Sequence, residues 1–190
     1  MKILIIDNYD SFTYNLVHDL ERNQGVQVDV VRNDEINFES LRNYDRFVIS
    51  PGPGLPHESG ELLRFLEEVQ FSNQPVLGVC LGLQAMVKIE GGELYNLGNV
   101  RHGTSMRMKV IHDSIEYTGL PREQGVGLYH SWAALRSTLP SKFTITAESE
   151  DGVIMSLSHQ TKPWIAWQYH PESVLSECGR EILRNWVERL

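Results

Sequence analysis

A chain of 190 residues that is 41% hydrophobic and 22% charged has the make-up of an ordinary soluble globular protein, and one α/β-sized domain is expected over residues 1–190. Its 17 basic and 25 acidic side chains give a net charge of −8 with no Lys/Arg cluster, which argues against nucleic acid as a partner. No apolar run approaches the roughly 18 residues of a membrane span, and Lys2 precedes only Ile3 to Ile6 before Asp7, too short for the roughly 7–15 apolar residues of a secretory signal. The expected location is therefore the cytoplasm. Cys80 and Cys178 stand far apart, without the C-x-x-C spacing of zinc or redox sites, so each is judged alone.

In chain order, short aliphatic runs alternate with amphipathic segments: Lys2 to Ile6, Ser11 to Arg22, Val26 to Val31, Arg46 to Ser50, Gly60 to Gln70, Val76 to Val79. This order predicts βαβ units and a mostly parallel sheet with helices on both faces. Within Ser11 to Arg22, Phe12, Leu16, Val17 and Leu20 recur at helical spacing, and Ser11 is the expected N-cap. Gly91-Gly92 reads as a helix stop. Beyond it the texture shifts to alternating segments, with Thr144 to Glu148 and Val153 to Leu157 flanking the turn signal Asp151-Gly152. Antiparallel β structure added to the parallel sheet is predicted there. Trp164 to Tyr169 is a further strand, and Ile182, Leu183, Trp186, Val187 and Leu190 stripe a final helix from Gly179 to Leu190.

The most informative stretch is Pro75 to Met86, where an apolar strand runs through Gly78-Val79-Cys80-Leu81-Gly82 into a helical segment. That is a nucleophile elbow with Cys in place of Ser. Glycines on either side of the tip keep side chains from colliding with the adjoining strand and helix. Cys80 would head a helix, where free N–H groups and the macrodipole favour a thiolate, and the N–H of Leu81 would face an oxyanion formed there. Taken alone, the same string also fits a small buried Cys in a turn.

A thiol nucleophile needs an acid–base partner. Among the seven histidines, His170 in Gln168-Tyr169-His170-Pro171-Glu172 lies at the end of an apolar strand. Catalytic groups of α/β sheets collect beyond such carboxyl ends. Glu172, two residues on, would project to the same side of an extended backbone and hold the imidazole tautomer. Ser50-Pro51-Gly52-Pro53-Gly54 follows another strand, and its stiff loop with unobstructed N–H groups suits a second oxyanion donor. His18 and His159 are expected on the surface or a helix face, Cys178 is expected to be an incidental thiol, and no His/Asp/Glu set shows metal-ligand spacing.

The blocks Asp7-Asn8-Tyr9-Asp10-Ser11-Phe12-Thr13-Tyr14-Asn15-Leu16, Val31 to Asp34, Ile49 to Gly54, Gly78 to Gly82, Tyr129-His130-Ser131 and Gln168 to Ser173 resemble the class I, triad-type glutamine amidotransferases. The likeness is greatest to the small subunits of anthranilate synthase and aminodeoxychorismate (para-aminobenzoate) synthase. The resemblance implies a flavodoxin-like three-layer α/β/α fold, with a mostly parallel central sheet and an additional antiparallel section. It implies hydrolysis of L-glutamine to glutamate and ammonia, delivery of ammonia to a chorismate-using synthase large subunit, and no cofactor or metal. By position it makes Cys80 the nucleophile, His170 the base and acid, and Glu172 its orienter. The backbone N–H groups of Gly52 and Leu81 become the oxyanion hole. Gly52, Pro53, Gly54, Gln84, Ser131 and Trp132 become the glutamine site, the last two chiefly through backbone groups.

The chain departs from the family pattern in two places. Leu83 stands where the family commonly has His, and His102-Gly103-Thr104-Ser105 is one residue shorter than usual, in a stretch expected to be a loop at a subunit interface. These departures tilt the reading toward aminodeoxychorismate. Two rival readings share the same residues: a free-standing γ-glutamyl hydrolase, and a catalytically silent flavodoxin-like regulatory module.

Overall fold

In the first strand, alternate side chains part to opposite faces: Ile3 and Ile5 join one buried apolar cluster, Leu4 and Ile6 the other. The period-two geometry of a strand makes both faces apolar only when both are covered. The computed structural model describes residues 1–190. Its strands are β1 (Lys2–Asp7), β2 (Gln27–Arg32), β3 (Arg46–Ile49), β4 (Val76–Val79), β5 (Leu94–Val110), β6 (Glu123–Ala134), β7 (Phe143–Ser149), β8 (Ile154–His159) and β9 (Trp164–Trp167). Its α-helices are α1 (Thr13–Glu21), α2 (Leu62–Val69), α3 (Leu81–Ile89) and α4 (Gly179–Arg189).

All nine strands form one sheet in the order β2-β1-β3-β4-β9-β8-β7-β5-β6. From β2 to β9 neighbours run parallel; from β9 to β6 they run antiparallel. This is the mixed architecture predicted from the change of texture after Gly91-Gly92. One face of the parallel section packs Val48, Leu77 and Val79 against Leu16 and Leu20 of α1 and Ile182 and Trp186 of α4. The other packs Phe47, Ile49 and Val76 against Phe65 and Leu66 of α2 and Met86 and Val87 of α3. Each such fully buried large side chain contributes roughly 1.5–3 kcal/mol. No helix is long and apolar enough to cross a membrane.

Three local expectations are corrected. Helix α1 is capped by Phe12, with no side-chain cap, rather than by Ser11. Asp10 accepts the Phe12 N–H at 2.8 Å, and Asp7 accepts both the Asp10 N–H and the Thr13 hydroxyl, so aspartates organise this entry and the helix starts later. His102 to Ser105 is not a loop: it lies within β5, paired with β6 from His102↔Tyr129 to Ser105↔Gly127, and a register shift at Gly103 (φ +69°) absorbs the irregularity. His159 is buried, with its Nε2 3.5 Å from Glu90, a carboxylate that also holds Lys142 and Lys162. Those cations let the Glu90 carboxylate stay in the interior, and its side of the sheet buries the ring that was expected outside.

The elbow's glycines are needed for closeness. A Cβ on Gly78 would lie 2.6 Å from the Gly82 carbonyl carbon and 3.0 Å from the Leu83 nitrogen, both main chain of α3. Backbone cannot swing aside as a flexible side-chain tip can. Gly78→Ala is expected to lower stability by roughly 1–3 kcal/mol, read as a lower urea midpoint with unchanged slope; an unchanged midpoint would refute the clash.

Candidate active site

Because β4 and β9 are neighbouring parallel strands, with Val79 paired to Trp167, their carboxyl ends emerge side by side. The Cys80 N–H donates to the Trp167 carbonyl at 2.6 Å. Cys80 itself has φ +51° and ψ −96°, a conformation that costs a non-glycine residue of order 1–3 kcal/mol, and it is the N-cap of α3. The strain lifts the side chain off the strand and onto the helix N-terminus. The N–H of Leu81, first in that helix, has no intrahelical acceptor by geometry.

His170 follows β9 and is 2% exposed. Its N–H donates to the Gly127 carbonyl at 3.0 Å, a lone antiparallel bridge that brings β6 back over the end of β9. Ser176 reinforces the junction: its hydroxyl donates to the His170 carbonyl at 2.6 Å and accepts the Gly127 N–H at 3.0 Å. The imidazole packs against Tyr129 and Phe12, with ring centroids 4.7 and 5.7 Å away. Its Nδ1 lies 2.7 Å from Oε1 of the buried Glu172, and its Nε2 is buried without a hydrogen-bond partner.

The His170–Glu172 pairing was expected from an extended backbone, and the route differs. The Ser173 N–H donates to the His170 carbonyl at 3.2 Å, so Pro171-Glu172 form a turn that folds the carboxylate back onto the ring. Burial pushes the His170 pKa down, but Glu172 and Cys80 together outweigh it and carry the value up to about 10. At neutral pH the ring is an imidazolium between the carboxylate and the sulfur.

The Ser50 to Gly54 loop is held by the opening block. The Asn8 backbone N–H donates to Ser50 Oγ at 2.9 Å, its side-chain amide donates to the Ser50 carbonyl at 2.9 Å, and Asn33 donates to Asn8 Oδ1 at 3.0 Å. A Cβ on Gly52 would meet Asn8 Cβ at 2.5 Å and Leu81 Cδ2 at 2.9 Å. Gly52 therefore sits against the first residue of α3, as a paired oxyanion donor would require.

These parts border a cleft of about 530 Å³, within the usual range for small-molecule sites. Cys80, His170, Gly52, Pro53, Gly54, Gln84, Ser131 and Trp132 line it, together with Tyr9, Asp10, Ser11, Phe12, Pro51, His102, Tyr129 and His130. Glu172 lies behind His170, outside the lining. Gln84 is nearly fully buried and donates to the Trp132 carbonyl at 2.9 Å, tying α3 to β6. The same carbonyl is 3.0 Å from His130 Nδ1, which must donate because a carbonyl only accepts. Burial lowers the His130 pKa to about 4, so this ring is neutral.

Several contributors went unread in the sequence. Asn8, Asn33 and Ser176 act by bracing loops, which no spacing announces. Phe12 looked like one more apolar position of a helix, and its place over His170 needs the sheet to curl. Gln168 did leave a signal: a polar residue ending an apolar strand, two positions from His170.

A family model described as glutamine amidotransferase class-I matches residues 4–190. The chain belongs to this family. Aminodeoxychorismate/anthranilate synthase component 2 of Bacillus subtilis (strain 168) is 39% identical, covering 98% of this chain and 95% of that one. Anthranilate synthase component II of Haloarcula marismortui is 40% identical, covering 97% and 96%. Other relatives are longer: the chain spans 26% of the aminodeoxychorismate synthase of Streptomyces griseus, at 40% identity over 98% of this chain. The crystal structure of a glutamine amidotransferase from Thermotoga maritima gives a TM-score of 0.85 at 19% identity, covering 100% of this chain and 97% of that one, a likeness of fold. The class-I amidotransferase fold thus accounts for the mixed sheet, flavodoxin-like in its parallel part.

Proposed function

We propose that this class-I amidotransferase is the glutaminase subunit of a chorismate-using synthase in the cytoplasm, hydrolysing L-glutamine to glutamate and ammonia through a γ-glutamyl thioester on Cys80. The observation that carries the reading is His170, with Nδ1 on Glu172 at 2.7 Å and Nε2 unpartnered, beside a cysteine at a strained strand-to-helix turn.

The His170 imidazolium carries the proton drawn from the Cys80 thiol, and the sulfur attacks the side-chain amide carbon of glutamine. The charge that develops on the amide oxygen meets the N–H groups of Leu81 and Gly52; each such donor is worth on the order of 10²–10³ in rate. His170 gives its proton to the departing nitrogen, and the C–N bond breaks to release ammonia. A water then attacks the thioester, His170 takes its proton, and glutamate leaves as the C–S bond breaks. Glu172 holds the ring's orientation and stabilises the imidazolium without moving a proton itself. Gly52 to Gly54, Gln84 and the backbone of Ser131 and Trp132 hold the substrate's far end; the doubly bonded Trp132 carbonyl supports this by fixing that strand segment.

Glutamate release is the test: the purified chain is assayed alone and then with each candidate chorismate-using subunit of its organism. Marked stimulation by one candidate is expected, and identifies the synthase served. Full activity alone, unchanged by every candidate, would instead make the chain a free-standing hydrolase.

A further inference from the structure

We infer that Gln168 is a further catalytic residue, its side-chain amide donating a hydrogen bond to the Cys80 sulfur while that sulfur carries negative charge; this rests on the reading of Cys80 as the nucleophile. Gln168 is fully buried, and its backbone N–H donates to the Met155 carbonyl at 2.9 Å, so β8 fixes its place at the end of β9. Its side-chain Nε2 lies 3.6 Å from Cys80 Sγ, the one hydrogen bond the amide makes, and its Oε1 is buried with no partner. A carboxamide brings two N–H donors and an acceptor oxygen into the interior, and leaving them unpaired opposes folding. Methionine or leucine would fill similar space without that cost, so packing alone does not account for the residue.

The chemistry of the sulfur does account for it. A thiolate only accepts, an amide N–H only donates, and a hydrogen bond to a charged acceptor is about twice as strong as a neutral one. With the His170 imidazolium near the sulfur, Gln168 supplies a neutral donor that need not give up its proton. During attack the electron pair moves into the new C–S bond and the hydrogen bond weakens. When water cleaves the thioester, the C–S bond breaks, the pair returns to sulfur, and the amide N–H meets it again. The amide thus assists both the formation of the thiolate and its departure.

The test uses Gln168→Met and Gln168→Glu in the full chain, the second keeping the size and shape of the side chain should the first fail to fold. Alkylation of Cys80 by iodoacetamide is followed by mass spectrometry of the Cys80 peptide, which separates it from Cys178, at neutral and at alkaline pH. The other titratable groups around the sulfur are His170 with Glu172 behind it, and His130, His102, Tyr9, Asp10 and Tyr129 on the cleft walls; all are unchanged in the variants. Alkylation at neutral pH is expected to fall roughly tenfold or more in Gln168→Met, the scale of one charge-assisted hydrogen bond, and to recover at alkaline pH. Gln168→Glu is expected to fall further, and kcat for glutamate release should fall in parallel with KM little changed. Wild-type alkylation in folded Gln168→Glu at neutral pH would overturn the inference. Absence of glutamate release from the wild-type chain with every partner would defeat the glutaminase reading, while the alkylation comparison still decides the role of Gln168.

Discussion

Cys80→Ser is expected to abolish glutamate release and glutamine-dependent synthesis, by on the order of 10³ or more, while ammonia-dependent synthesis by the partner subunit continues at its normal rate. The exchange of sulfur for oxygen barely changes the side chain's volume, and the strained backbone at φ +51° is maintained by its surroundings: the Cys80 N–H on the Trp167 carbonyl and the Gly78–Gly82 contact. The fold and the surface offered to a partner should therefore persist. What is lost is the attacking group, because a hydroxyl beside this imidazolium is a far weaker nucleophile than a thiolate. Both activities are to be measured on the same reconstituted complex. Equal loss of both would contradict a division of labour in which this chain only makes ammonia.

Replacing the other two members of the triad should give unequal losses. His170→Ala removes the group that takes the thiol proton, protonates the leaving nitrogen and activates water, so kcat is expected to fall nearly as far as for Cys80→Ser. Glu172→Ala leaves that ring in place but removes the carboxylate 2.7 Å from Nδ1, the main attraction holding the ring as an imidazolium despite its burial. The Glu172→Ala loss should be serious but about 10- to 100-fold smaller, the usual spacing between a base and its orienter. Steady-state kinetics of glutamate release check the order, and the reverse ranking would mean that the two roles are exchanged.

The inner parallel strands β1, β3, β4 and β9 were readable in the chain because they are buried on both faces and announce themselves as short aliphatic runs; β2, at the sheet edge, has no fully buried residue and showed itself by its alternating valines. β5 was not readable: its long central part is largely exposed, and the shifts between Asn96 and Arg101 and at Gly103 reset its alternation. His102 to Ser105 therefore looked like a loop. The elbow and the His-Pro-Glu string were legible as chemistry, since a cysteine flanked by glycines at one strand end and a histidine at another together match the needs of a nucleophile and its base. The path from His170 to Glu172 was not, because a proline-containing turn and an extended segment share the same three letters. Least legible were the braces. Asn8 and Asn33 were visible only as parts of a resemblance, and their work, holding the Ser50 to Gly54 loop against α3, depends on β1, β2 and β3 being adjacent. The buried His159 shows the converse error: without Glu90, Lys142 and Lys162 in view, a histidine near polar neighbours reads as surface.

If Cys80 is a nucleophile built for glutamine, a glutamine-analogue electrophile should modify it, and the intact mass of the chain after exposure to such a reagent, followed by peptide mapping, reads this out. One adduct per chain, on Cys80 and not on Cys178, suppressed by excess glutamine and absent from Cys80→Ser, is the expected result. An unmodified Cys80, or labelling that glutamine does not suppress, would contradict it.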